Sequence, residues 1–211
     1  MIVAENVSRR FGRNFALRGV SFELGREKVA LLGHNGAGKS TLAKIIAGIL
    51  KPSSGRVRVL GEDPAKSGEV RRKIGIVTHN PMLYPELTTI ENVKFFSKLY
   101  GCEVDEDLLK FLGLERRLNE RVANLSAGWL RRVSIARALM HKPEVLIIDE
   151  VSGLDAGGKK RIFELIKDFE GFLIYVTHEV SEVRDFDRFL VLRDGRLVYD
   201  GNSYEDAVET L

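Results

Sequence analysis

Hydrophobic and polar residues follow several distinct rhythms along this chain. From Ile2 to Val7 and from Ala16 to Leu24 apolar and polar positions mix as they do on half-buried strands, with Gly12 and Gly25 as breaks. That pattern predicts a small antiparallel sheet at the N-terminus. The run KVALLG, Lys28 to Gly33, is different, because it is almost continuously apolar and closes on a glycine. It reads as a strand buried on both faces, and helical spacing follows from Lys39 to Ile49. Runs of the same kind recur at Lys73 to Thr78, Glu144 to Asp149 and Gly171 to Thr177, with helical segments between the later ones. The arrangement is that of a parallel sheet with helical crossovers.

Between Asn80 and His141 the strand pattern stops. Thr88 and Glu91 stand in a capping-box arrangement, Ile90, Val93 and Leu99 fall at helical spacing, and Gly101 ends the segment. Leu108 to Leu112 and Leu130 to Met140 also read as helices. The expected fold is α/β, a single domain over residues 1–211, with a core of 1–80 and 141–211 and an inserted helical subdomain over 81–140. Near the end, Asp194-Gly195 lies between two short apolar runs and predicts a hairpin, followed by a short helix.

Length and composition narrow the class. A chain of 211 residues with 44% hydrophobic content suits one domain carrying an insertion. The formal net charge is +3, and the 30% of charged residues are of both signs and interspersed, which argues against the basic face of a nucleic-acid binder. The lone Cys102 forms no internal disulfide, and the N-terminus lacks the basic-then-apolar layout of a secretion signal, so a reducing cytoplasm is expected. No apolar run reaches the roughly 20 residues that span a bilayer. A membrane connection would therefore be peripheral and made through a partner. The chain has no glutamine, one cysteine and abundant Lys, Arg and Glu, a bias that resembles hyperthermophile composition.

Candidate chemistry begins at GHNGAGKST, Gly33 to Thr41, which fits G-x-x-x-x-G-K-[ST] between a predicted buried strand and a helix. Gly33, Gly36 and Gly38 let backbone N–H groups curl around an anion, with Asn35, Ala37 and Thr41 completing the loop. The helix start adds a favourable dipole. Lys39 is placed to reach β and γ phosphates, and Ser40 to ligate Mg²⁺. His34 occupies a variable position and reads as a bystander. Asp149 ends the apolar strand VLIID at the sheet's carboxyl edge, where a carboxylate can hold Mg²⁺. Glu150 follows as the candidate general base for a water aligned with the γ phosphate.

The stretch NLSAGWLRRVSIARAL, Asn124 to Leu139, lying shortly before that acidic strand, is much narrower as a signal. Taken with the order of Phe11, the phosphate loop, the switch segment IGIVTHN, SGLD at Ser152 to Asp155 and VTHE around His178, the chain resembles the ATP-binding cassette family over essentially its whole length. The resemblance implies a P-loop NTPase with a RecA-like parallel-sheet core and an ATPase subunit that binds ATP and Mg²⁺. It also implies head-to-tail pairing with a second ATPase subunit, expected to be an identical copy, and a separate integral membrane permease. Ser126, Ala127 and Gly128 would then offer a hydroxyl and N–H donors to the γ phosphate held by the other subunit. Phe11 would stack on adenine, the competing reading being a core phenylalanine. His178 would sense the γ phosphate, and Asp155 would belong to the loop joining the two sites.

Three departures from the family pattern stand out. His79 holds a position where the family usually has glutamine, and imidazole suits a metal-bound water better than Mg²⁺ itself; a pH-sensitive role near neutrality follows as an expectation. Trp129 replaces the last glutamine of the signature. Asp149 to Asp155 is one residue shorter than the usual pattern. The phrases around His79 to Gly101 are similar to those of ATPase subunits of haem exporters in cytochrome c maturation, and Pro81 to Leu87 is expected to form part of a groove for a membrane subunit, or else a solvated loop. A soluble cassette ATPase of iron-sulfur assembly and a regulatory module with little turnover are the competing readings.

Overall fold

The computed structural model describes residues 1–149 and 153–211. The N-terminal alternation does make strands, β1 (Ile2–Phe11) and β2 (Asn14–Leu24), paired antiparallel. The sheet they form is three-stranded among the described residues, because β4 (Ser54–Val59) adds to the other edge of β1. Val57 and Val59 point into the core while Arg56 and Arg58 stay exposed. This is strict period-2 alternation, hidden by its high charge.

β3 (Lys28–Leu32), β5 (Ile74–Val77), β6 (Val145–Asp149), β7 (Phe172–Val176) and β8 (Arg188–Arg193) pair in parallel in the order β5-β6-β7-β3-β8. The antiparallel β9 (Arg196–Gly201) closes the far edge as the hairpin partner of β8. Continuous apolar runs are needed here because successive residues enter opposite cores. Val29 and Leu31 join the core beneath the N-terminal sheet, and Ala30 and Leu32 join the one on the helical side. Val145 and Ile147 divide from Leu146 and Ile148 in the same way. Each fully buried Leu or Ile contributes about 1.5–3 kcal/mol.

α1 (Lys39–Ile46) ends three residues before the expected Ile49. Gly48 takes φ +72, and a Cβ there would strike the Pro64 carbonyl, so the chain turns away. A short α2 (Gly68–Arg72) precedes β5. Between β5 and β6 lie α3 (Thr89–Tyr100), with the capping box of Thr88 and Glu91 and the Gly101 end at φ +72, then α4 (Glu106–Phe111) and α5 (Ala127–Leu139). α5 begins three residues earlier than the expected Leu130, which makes Ser126 its N-cap. α6 (Ala156–Asp168) links β6 to β7, and α7 (Tyr204–Thr210) follows β9. The basic look of α5 is misleading: Arg131 and Arg137 are buried and donate to the carbonyls of Thr78 and Ile76 at the end of β5.

Candidate functional site

β6, β7 and β3 end side by side at the carboxyl edge of the sheet, where β3 separates strands that arrive from later in the chain. Open parallel sheets bind ligands at such a switch in strand order. Asn35, Gly36, Gly38, Lys39, Ser40, Thr41, Asp149 and His178 line one cleft there, together with Ala16, Val176 and Thr177. Of these, Val176 and Thr177 belong to the VTHE segment around His178, while Ala16 is a position that pattern reasoning did not place at the site.

The phosphate loop is held from behind by backbone. Gly33 at φ +142 leaves no room for a Cβ against the Leu192 carbonyl, and Gly38 at φ +105 none against that of Ala16. Gly195, in the β8-β9 hairpin, donates its N–H to the Ala37 carbonyl at 3.1 Å and accepts from the Arg18 N–H at 2.8 Å. Gly38 caps α1 without any side-chain bond, and no acidic residue stands in the first turn, so nothing there competes with an anion for the helix N–H groups. Lys39 Nζ donates to the carbonyls of Gly33 at 2.6 Å and His34 at 2.9 Å, which suspends the cation over the loop. Ser40 Oγ donates to Asp149 Oδ1 at 3.0 Å, and Asp149 is buried.

His178, exposed after β7, lies on the other side of this cleft. The residue before it is anchored: Thr177 Oγ1 donates to Glu182 at 3.1 Å, and the same carboxylate accepts from Tyr175 at 3.0 Å and from Lys159 at 3.1 Å. Glu150 and Ser152 lie outside the described residues.

Gly33 and Ala37 shape the loop from behind without lining the cleft, and Phe11 and His79 do not line it either. Phe11 is 49% exposed with the Arg9 guanidinium 4.6 Å over its ring, which rules out a core phenylalanine. His79 is exposed past the end of β5, next to Thr78, whose carbonyl Arg131 Nη1 holds at 2.7 Å. Nothing in the pattern around Arg131 marks it for this role.

Ser126, Ala127, Gly128 and Asp155 gather elsewhere, with Trp129, Arg132 and Gly153, around a hollow that shares no lining residue with the cleft. Ser126 makes no capping hydrogen bond with its own helix. Asp155 caps α6, accepting from the Gly158 N–H at 2.9 Å and from Arg132 at 2.7 Å. The Gly158 N–H and, next, the Arg132 guanidinium hold its carboxyl below the usual value.

With that geometry in place, likeness to known proteins becomes decisive. Residues 17–153 match the family described as ABC transporter. The chain belongs to this family. A linearmycin resistance ATP-binding protein of Bacillus subtilis (strain 168) is 36% identical over 217 residues, spanning 95% of this chain and 69% of that protein. A molybdate/tungstate import ATP-binding protein of Methanocaldococcus jannaschii is 35% identical over 211 residues, spanning 96% of this chain and 71% of the relative. A solved dimeric structure of a post-hydrolysis state of an ATP-binding cassette, bound to ADP and Pi, superposes with TM-score 0.84 at 28% identity, covering 96% of this chain and 98% of that one.

The chain is therefore an ATP-binding, ATP-hydrolysing subunit of an ABC transporter, with the cassette fold and its antiparallel N-terminal sheet. The narrower likeness to haem-export subunits gains no support from relatives named for linearmycin resistance and for molybdate or tungstate import. Among the described residues no helix is long and apolar enough to cross a membrane.

Proposed function

We propose that two identical copies of this chain close head to tail around two ATP molecules and drive a separate membrane subunit from its inner face, as the motor of an export-type transporter. The observation that carries this reading is the separation of the two hollows. The Ser126 helix start cannot complete the chain's own phosphate cleft, yet it leaves its hydroxyl without a cap role. A second copy, turned end to end, supplies what each cleft lacks.

Within each cleft the backbone N–H groups from Gly36 to Thr41 would cradle the β phosphate, and Lys39 Nζ would move from the carbonyls of Gly33 and His34 to phosphate oxygens. Ser40 and Asp149 present adjacent hard oxygen donors, a set that fits Mg²⁺. When bound, that ion would neutralise charge on the phosphate oxygens. Glu150 would take the proton of the attacking water, and His178 would contact the γ phosphate from the β7 side. Ser126 of the other copy would close the cleft, and loss of the γ phosphate would release it. His79 would bond a metal-bound water or transmit motion from the switch segment, and Phe11 would meet adenine from the exposed end of β1.

An aromatic patch supports docking to a membrane subunit: Tyr84 and Phe95 pack edge to face at 4.9 Å while 46% and 41% exposed, and Leu99 beside them is 57% exposed. Such a patch favours a transporter over a soluble iron-sulfur assembly ATPase. The export direction rests on the likeness of residues 79–101 to export-type cassettes and on the resistance relative.

The test is Glu150→Gln, which keeps ATP binding but slows hydrolysis by about 10² or more. With ATP, sizing chromatography should show a dimer that dissolves when nucleotide is removed. A variant that stays monomeric at saturating ATP would break the head-to-tail reading.

A further inference from the structure

Arg132 joins three elements at once. It rises from the second turn of α5, donates through Nη1 to the Leu112 carbonyl at the end of α4 at 3.1 Å, and through Nη2 to Asp155 at the start of α6 at 2.7 Å. Its side chain is only 11% exposed, while the Asp155 carboxylate that it meets is 73% exposed. The space for this fork is cut by glycine: a Cβ at Gly113 would approach Arg132 to 3.4 Å, and one at Gly158 would meet Arg132 at 3.0 Å and Asp155 at 2.7 Å. Arg132 Cζ lies over the Trp129 ring, 4.6 Å from its centroid, with Arg117 Cζ at 5.3 Å from the same ring. A glutamine at that position has no aromatic face for the fork to rest on. The signature helix also touches the segment before Asp155 directly, since a Cβ on Gly128 would come within 2.9 Å of the Gly153 carbonyl.

We propose that Trp129 and Arg132 form a clasp that fixes Gly153 to Asp155 relative to the signature helix, so that phosphate capture at Ser126 is passed to the start of α6. Trp129 is then a positioning residue that compensates for the lost signature glutamine. The planar guanidinium stacks on the ring while both of its ends stay hydrogen-bonded, a geometry that lysine cannot reproduce. This inference rests on the head-to-tail reading above.

Steady-state ATPase rates across ATP concentration, for purified wild type and for the Trp129→Phe, Trp129→Gln and Arg132→Lys variants with Lys39→Ala as blank, provide the test. Trp129→Gln and Arg132→Lys should each lower kcat about three- to tenfold and reduce the Hill coefficient, with little change in half-saturating ATP. Trp129→Phe, which keeps a ring beneath the fork, should restore most of kcat. The double variant Trp129→Gln/Arg132→Lys should be no slower than the worse single one, as expected for residues acting through one contact. Unchanged kcat in Trp129→Gln, or multiplying losses in the double variant, would overturn the clasp.

Because Trp129 is the chain's single tryptophan, its fluorescence gives an independent check that needs no turnover. Asp155→Asn should loosen Arg132 and make the ring more accessible to acrylamide, and unaltered quenching would also overturn the clasp. A Glu150→Gln variant that stays monomeric at saturating ATP defeats the head-to-tail reading instead, which keeps the two failures apart.

Discussion

Two helix starts in this molecule, those of α1 and α5, are built by different means, and the proposed function gives both of them to phosphate. The phosphate loop before α1 is shaped by backbone against backbone, with the Leu192 and Ala16 carbonyls pressed on Gly33 and Gly38 and the Gly195 N–H tied to Ala37. The start of α5, besides the close approach of Gly128 to the Gly153 carbonyl, is tied to its neighbours by side chains, namely the Arg132 fork to Leu112 and Asp155 and the Trp129 ring. A backbone-built seat is rigid whether or not ligand is present. A side-chain-built one depends on contacts that reach across three helices, which suits a surface that must engage and release a second subunit.

The most damaging way to probe the first seat is to remove its cation. Lys39→Ala should cut ATP hydrolysis by at least about 10²-fold, the scale for losing one preorganised charge from a transition state, while thermal stability changes little. The comparison sharpens if the fold survives, because the Gly195 tie to Ala37 holds the loop after the lysine's bonds to Gly33 and His34 are lost. A variant that retained most of its turnover would mean that charge in this cleft comes from elsewhere.

A smaller effect is expected from attacking the brace itself. Gly195 sits at φ +76, and a Cβ there would come within 2.8 Å of the Ala16 carbonyl. Gly195→Ala should therefore cost about 1–3 kcal/mol in chemical denaturation and raise the half-saturating ATP concentration. An unchanged nucleotide affinity alongside lost stability would show that the hairpin supports the fold without tuning the phosphate loop.

The same contrast explains what the sequence made legible. Gly33, Gly36, Gly38 and Lys39 announce their conformation because glycine spacing and a strand-to-helix context are local properties. The buried strands were legible for a similar reason, since two-sided burial writes an unbroken apolar run. β4 was not, because its alternating Val57 and Val59 are separated by arginines and gain their meaning from pairing with β1, some fifty residues earlier. Arg131 and Arg132 were hidden for a related reason: adjacent in sequence, one is buried against β5 and the other reaches α4 and α6, and the basic run RR says nothing of either. Phe11 and His79 came from the family pattern, and neither lines the cleft of this single chain.

Acid offers the gentlest way to separate the two regions. His141 follows α5, half-buried, with its ring stacked on Tyr100 at a 4.0 Å centroid distance. Burial, helped by the nearby positive charge of Arg137, pulls its pKa from 6.5 down to about 4. The unfolded chain therefore takes up a proton near pH 6.5 that the folded chain refuses until about pH 4, so stability from this site is fully present above 6.5 and is lost as pH falls through that window. Because the residue is only half-buried, screening should hold the loss to about 1 kcal/mol near pH 5, or a few degrees in Tm. His141→Phe keeps a flat ring against Tyr100 but cannot titrate, so its Tm should fall less between pH 7.5 and pH 5 than that of the wild type. The Arg132–Asp155 contact should persist over the same range, because Asp155 is held below the usual carboxylate value. If both proteins lose Tm equally, acid acts elsewhere than at the His141–Tyr100 stack beyond the far end of α5.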